Sequence, residues 1–277
     1  MVSAEIIDVQ RLSKYIVGKF PFLETASAAK KAIKRGEIWI DGRVGYSGDW
    51  VTTGCIIESR SQFDKAESIS DRIDVIYEDD HLMILNKPPG LLSSGSSGPS
   101  LQKYLKSYPA SDAEGALFYP YLIHRLDRAT CGLILAARTI ESRRLLGDMV
   151  SGNAVVKEYS LIVEGQVDAK IQILEDDIDA KNAKTEIVSI QALSTKDLTT
   201  YLRVRLHTGR THQIRRHLSL AGHPLVGDDL YNKDGVTFGR GLFLMADKIS
   251  FSHPIEDTEV SVSVPLHKKF DKYINGI

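Results

Sequence analysis

The chain has 277 residues and carries 35 Lys plus Arg against 36 Asp plus Glu, a formal net charge of −1. Its 43% hydrophobic and 26% charged residues are an ordinary globular mixture, which excludes collagen, coiled coil and wholesale disorder. Near-neutrality also excludes a molecule-wide basic field, so a nucleic acid must be met by a local patch.

The opening MVSAEIIDVQRL holds acids and no apolar run, unlike a signal peptide, and no stretch approaches the ~20 apolar residues of a membrane span. Cys55 and Cys131 supply neither a disulfide framework nor a four-ligand zinc site; two reduced thiols are favoured over one long-range bridge. A soluble cytoplasmic protein, monomeric and without a membrane partner, is the expectation.

In chain order, RLSKYIVGKF and ETASAAKKAIKRG predict two short helices, the second capped by Thr25 or Ser27 and stopped at Gly36. Asp41-Gly42 between apolar runs predicts a hairpin. Residues 1–60 thus read as a small α+β module, and the polar, aperiodic stretch 61–73 as a linker. Residues 74–277 read as a larger domain. DVIYEDDHLMILNKP predicts two strands around an acidic turn, and SSGSSGPS a loop before a helix. YLIHRLD reads as a strand running into a loop, GLILAAR as a buried strand and TIESRRLLGDMV as an amphipathic helix. After them come strand VVKEYSLIVEG, an acidic excursion IQILEDDIDA, strand TYLRVRLHTG and helix RTHQIRRHLSLAG. LFLMADKISFSHP and VSVSVP are late strands. Many strands without regular βαβ alternation predict an α+β fold, its mixed, mainly antiparallel sheet flanked by helices.

Three segments carry chemistry. In YLIHRLDRATCG, Asp127 lies between Arg125 and Arg128 and is the only carboxylate between Glu114 and Glu141. Neighbouring cations favour an ionised carboxylate, which suits a nucleophile better than a general acid; a structural ion-pair cluster is the plainer alternative. RVRLHTGRTHQIRRH holds five Arg, three His and no acid, the densest anion footprint in the chain. Thr211 is a candidate helix cap, Ile214, Leu218 and Ala221 form a core stripe, and Arg215 and Arg216 lie off it within reach of phosphates. A solvated basic face is the competing reading. His207, His212 and His217 recur every five residues, about 140° apart on a helix. They share no face, so no metal is expected. On the third segment Tyr159 shares a strand face with Lys157 and Leu161. A strand tyrosine is usually core, and becomes functional only if its face meets Asp127 and the Arg-rich segment.

These residues carry a resemblance. His124-Arg125-Leu126-Asp127 with Thr130 and Gly132, then Lys157-x-Tyr159, Thr208-Gly209-Arg210-Thr211-His212-Gln213-Ile214-Arg215 and Gly222-His223-Pro224-Leu225-x-Gly227-Asp228 closely resemble the RluA family of RNA pseudouridine synthases. LNKPPGLL resembles that family's opening strand and turn, and the likeness runs from about 74 to 265. The resemblance implies cofactor-free isomerisation of uridine in RNA, with Asp127 as catalytic aspartate, Tyr159 as base-stacking tyrosine and Arg210 as the basic partner of the aspartate. RNA contacts are expected from His124, Arg125, Thr211, His212, Gln213, Arg215 and Arg216. Cys131 stands where the family more often has Ser. Residues 11–60 resemble, less closely, the S-four-type RNA-binding module; Arg11-Leu12, Lys34-Arg35-Gly36 and Asp41-Gly42 fit it, whereas ETASAAKK and Gly54-Cys55 depart from it.

The uridine must leave its stack before a side chain reaches the glycosidic bond. Asp127 then attacks the sugar carbon, assists removal of a sugar proton or adds to the base ring; the residues do not choose among these. The expected substrate is large-subunit ribosomal RNA, with transfer RNA as the other candidate. Two competing classes are a catalytically silent RNA-binding or ribosome-assembly protein and a glycoside-cleaving carboxylate enzyme. The latter needs a second carboxylate about 5–9.5 Å away, and none is evident near Asp127 or Arg210.

Overall fold

The computed structural model describes residues 9–20, 23, 25–34, 36–41, 43–52, 54–59, 73–95, 98–193, 198–232 and 241–275. Two compact units divide the chain, Met1–Asp71 and Arg72–Ile277. The stretch expected as a linker lies outside the described residues, apart from buried Ile73.

In the first unit, β1 (Gln10–Arg11) runs into α1 (Leu12–Tyr15), followed by α2 (Ala26–Lys34), β2 (Ile38–Ile40), β3 (Arg43–Val44), β4 (Trp50–Val51) and β5 (Ile57–Ser59). Thr25 Oγ1 accepts from the Ala28 N–H at 3.1 Å, satisfying one of the free donors that open α2. After α2 the chain turns at Gly36 with φ +71°, a conformation glycine adopts without steric cost. Leu12, Ile16, Leu23, Ala29, Ala32, Ile38, Ile40 and Val51 close a small core. The turn after β2 is tied down by Asp41, whose Oδ1 accepts from the Ile56 N–H at 2.8 Å; Gly42 lies outside the described residues.

The second unit is built on one sheet. Its elements are β6 (Asp74–Glu78), β7 (Leu82–Lys87), α3 (Leu101–Leu105), β8 (Ala116–Leu122), β9 (Cys131–Thr139), α4 (Ile140–Ser151), β10 (Val156–Glu164) and β11 (Ile173–Leu174). They continue with β12 (Thr185–Leu193), β13 (Thr199–Leu206), α5 (Gln213–Leu220), β14 (Leu244–Ser252), β15 (Glu259–Ser263) and α6 (Lys268–Ile274). The strand order is β11-β12-β13-β10-β14-β9-β7-β6, with β15 on β14 and β8 on β9. Among the described pairs only β14 and β9 run parallel. The architecture is therefore α+β with a mixed, mainly antiparallel sheet. β12 and α6 had no distinct signal in the sequence reading: TEIVSIQAL is polar at every second position near its middle, and α6 is short.

Local chemistry accounts for several boundaries. Asp79 makes the acidic turn between β6 and β7 by accepting on Oδ1 from the N–H groups of His81 (2.7 Å) and Leu82 (2.9 Å). Thr139 ends β9 and caps α4 in a reciprocal box with Ser142. Every residue of β9 is buried, which explains the unbroken apolar run. Leu82, Ile84, Leu133, Leu135, Leu146, Ile249 and Phe251 pack as one core; Cys131, Ile162, Val226, Phe243, Met245 and Phe270 pack as another. Gly132 lets β9 meet β14: with φ +111°, a Cβ there would sit 2.1 Å from the Ala246 carbonyl oxygen. Among the described residues, no helix is long and apolar enough to cross a membrane.

Candidate active site

Asp127 sits in the loop between β8 and β9, and that loop is stapled to the turn after β7. Ser93 Oγ accepts from the Leu126 N–H (2.9 Å) and donates to the Leu126 carbonyl (2.7 Å). Gly90 and Arg128 exchange two further bonds, Gly90 N–H to the Arg128 carbonyl at 2.8 Å and Arg128 Nε to the Gly90 carbonyl at 3.1 Å. Behind this turn Lys87 is fully buried, its ammonium donating to the carbonyls of Pro88 (3.0 Å) and Leu91 (2.8 Å). Burial pulls Lys87 down to about 8, against a smaller opposing attraction from Cys131 and Asp127. The LNKPPGLL segment thus holds the aspartate loop.

Asp127 opens into a cavity of about 280 Å³ whose walls include His124, Lys157, Tyr159, Arg210, His212 and Arg215. That is at the small end of ligand pockets, which run to about 300–1,000 Å³. The three segments singled out in the sequence therefore share one cleft. Tyr159 and Lys157 come from β10. Its pairing with β14 shifts register between Glu158 and Tyr159, a bulge of the kind that re-aims side chains beside functional clefts. Burial, and then the nearby Asp127 charge, push the Tyr159 phenol well above its ordinary value, so it stays protonated. Burial pulls Lys157 down.

Arg215, not Arg210, is the guanidinium beside the aspartate. Arg215 Nη1 lies 3.6 Å from Asp127 Oδ2. Arg210 lines the same cavity, but its Nε donates to the Asn182 carbonyl at 2.9 Å on the rim. The reason is where α5 starts. Thr211 is exposed and does not cap; the cap residue is His212, in the left-handed region at φ 56°, ψ 27°. This reversal turns the chain inward at Gln213, so that Arg215 faces the cleft and only 5% of it is exposed. Its place off the core stripe does not lead to solvent.

A second carboxylate fixes Arg215. Asp228 accepts from Nε and Nη2, both at 2.7 Å, a bidentate fork. Burial alone would raise Asp228; the Arg215 bonds and the N–H groups of Tyr231 and Leu230 outweigh it and hold the carboxyl below its ordinary value. The Tyr231 ring lies 5.2 Å from the guanidinium, and its hydroxyl meets His212 Nδ1 at 3.0 Å. His212 Nε2 lies 3.7 Å from Asp127 Oδ2. Asp228 stands in the motif at 222–228 with no role apparent from its residue type, and Tyr231 carries no signal in the sequence. The available signal was the Gly227-Asp228 pair following the Arg-rich segment.

Several other expected contacts also line the cavity but have partners within the protein. Gln213 is buried; its Oε1 accepts from Thr208 Oγ1 (2.7 Å) and the Arg210 N–H (3.0 Å), while its Nε2 donates to the Lys184 carbonyl (3.0 Å). It clamps the loop before α5 and is not an open RNA contact. His124 accepts from the Leu135 N–H at 3.1 Å. Burial, then Lys157, depress His124 to about 3, so the ring is neutral and offers no charge to a phosphate. Arg125 and Arg128 are exposed, and Arg216 pairs with Asp179 at 2.9 Å. The three regularly spaced histidines have separate partners: His207 meets Glu186 (2.8 Å), His212 meets Tyr231, and His217 bridges Thr185 Oγ1 (3.0 Å) and the Asp176 carbonyl (2.9 Å). Asp228 has both oxygens engaged within the protein, so it is not the second free carboxylate that a glycoside-cleaving pair requires.

Residues 81–220, which include Asp127, Tyr159 and Arg215, match the family model described as RNA pseudouridylate synthase. The chain belongs to the RNA pseudouridine synthase family. A relative from Vibrio parahaemolyticus, "Ribosomal large subunit pseudouridine synthase C", is 33% identical over 223 residues, 73% of this chain and 69% of that one. The protein of the same name from Rickettsia felis is 30% identical over 97% of this chain and 99% of its own. Among solved structures, "Human RNA Pseudouridylate Synthase Domain Containing 4" covers 76% of this chain and 95% of that one, with a TM-score of 0.57 and 22% identity. That likeness bears on the fold. The protein is accordingly an RNA pseudouridine synthase, an isomerase that rebuilds uridine as its carbon-linked form.

Proposed function

We propose that this synthase modifies uridines in ribosomal RNA of the large subunit, with Asp127 as the reacting carboxylate, Tyr159 as the platform for the everted base and Arg215 as the cation that orients Asp127. The observation carrying this reading is the approach of Arg215 Nη1 to Asp127 Oδ2, 3.6 Å, inside a cavity that Tyr159 also lines. The printed names of the Vibrio and Rickettsia relatives support the choice of RNA. A small cavity with buried walls suits a reaction whose detached uracil must be held until it rejoins through carbon. The protonated Tyr159 stacks on the ring.

On this reading Arg125, Arg128 and Arg210 hold backbone phosphates around the cleft. The first unit adds weak contacts as an RNA-binding module, supported by the exposed Trp50 ring with the Arg11 guanidinium 4.2 Å above it and by Lys30, Lys31 and Lys34 on α2. The protein works as a monomer in the cytoplasm. The test is pseudouridine mapping on large-subunit ribosomal RNA and transfer RNA transcripts treated with wild-type protein or Asp127→Asn. One or a few sites formed only by wild type are expected; equal yield from Asp127→Asn would remove the carboxylate from the mechanism, and sites confined to transfer RNA would replace the substrate.

A further inference from the structure

The acidic excursion read from the sequence is a pinned hairpin that binds the cations beside the cleft. Ile178 and Lys181 exchange both backbone bonds, at 2.9 and 3.1 Å, across a two-residue turn formed by Asp179 and Ala180. Both turn residues are left-handed, φ 53° and 57°, as a tight hairpin of this type requires. Buried Ile178 and Ala183 root the hairpin, and His217 holds it from below through the Asp176 carbonyl. The turn therefore presents Asp179 in a defined place. Its Oδ1 lies 2.9 Å from Arg216 Nη1, with 70% of the Asp179 side chain exposed.

The same hairpin takes two more positive groups. Glu175 Oε1 meets Lys184 Nζ at 2.7 Å, and the Asn182 carbonyl accepts from Arg210 Nε at 2.9 Å. Arg210 lines the catalytic cavity, so the hairpin stands at its rim. Exposed ion pairs contribute little to folding and exchange readily with other anions. Arg216, which adjoins the cavity-lining Arg215 in the chain, is already engaged by a carboxylate, the same sign as an arriving phosphate.

We propose that Asp179 competes with RNA phosphate for Arg216 and so acts as a specificity-determining residue. An RNA whose backbone displaces it gains the Arg216 charge, and one that leaves the pair closed gains no attraction from it. This rests on the reading of the cleft as an RNA site, and it concerns a residue outside the catalytic set.

Asp179→Asn is the informative variant, because Asn tolerates the left-handed turn while losing the charge. Binding is measured by fluorescence anisotropy for a large-subunit ribosomal RNA fragment and for an unrelated structured RNA. Asp179→Asn is compared with wild type, and again in an Arg216→Ala background. The expected result is roughly two- to fivefold tighter binding of both RNAs, a narrower ratio between them, and loss of this gain when Arg216 is absent. No gain, or an equal gain in both backgrounds, would overturn the competition. Wild-type protein that bound neither RNA at low salt would overturn the RNA reading of the cleft together with this proposal.

Discussion

Asp228 grips Arg215 through two bonds of 2.7 Å, and Arg215 in turn lies 3.6 Å from Asp127. One guanidinium thus serves a structural carboxylate on one side and, on the other, Asp127, the carboxylate proposed to react. The fork with Asp228 uses Nε and Nη2 and leaves Nη1 for Asp127. Arg215 is thereby held in a single orientation before RNA arrives, so little side-chain order has to be created on binding.

Asp228→Asn keeps the shape but leaves Arg215 without its buried counter-charge. Breaking such a pair from one side costs about 3–5 kcal/mol. A lowered thermal midpoint and a slower single-turnover rate are expected together. An unchanged rate at a temperature where the variant is folded would separate Asp228 from the positioning of Arg215.

Arg215→Lys and Arg210→Ala distinguish the two arginines. Lys keeps a charge but cannot form a planar fork with Asp228. Single-turnover rate is expected to fall more than about tenfold, as for other losses of oriented charge. Arg210→Ala removes a rim cation, so binding should weaken a few-fold, with a salt slope shallower by roughly 0.7–0.9, and the rate at saturating RNA should survive. The reverse pattern would return the role to Arg210.

Acid stability is expected to break in two windows. His124 has a folded value of about 3, below the unfolded 6.5, so between those values the unfolded chain binds the extra proton. Stability is therefore lost as pH falls below about 6.5. Asp228 is depressed in the folded state, so its contribution is present above the unfolded value near 3.8 and fades only as pH falls below it. His124→Gln keeps an acceptor for the Leu135 N–H but does not titrate. Unfolding free energies from pH 3 to 7.5 should fall less steeply for this variant; identical slopes would acquit His124.

Gly132→Ala is expected to be severely destabilising. The new methyl would lie 2.1 Å from the Ala246 oxygen, on the parallel seam between β9 and β14. Neither strand can retreat without opening a core, so the loss should reach about 3 kcal/mol or more, at the upper end of overpacking. Denaturant titration checks this; a wild-type midpoint would show that the seam can spread.

Local patterns were enough for much of the architecture. The apolar run 132–138, the acidic turn between the first two strands of the larger domain and the Thr25 cap depend on neighbours within a few residues, so each was legible in order along the chain; the Thr139 cap was not singled out there. The motifs around Asp127, Tyr159 and Arg215 also named the reaction, because their residue types and sequence order identify the family.

What the amino-acid order did not contain was the choice between Arg210 and Arg215. Both lie in one basic segment, and helical spacing put Arg215 on an outward face. The left-handed turn at His212 and the buried carboxylate of Asp228, 13 residues beyond Arg215 in sequence, reversed that assignment. The same holds for Gln213 and His124, which look like RNA contacts by type and are spent on backbone groups of other elements. Residue chemistry sets which interactions a side chain can make. Which one it makes depends on partners brought near by the sheet, and those distances exist only once the chain has folded.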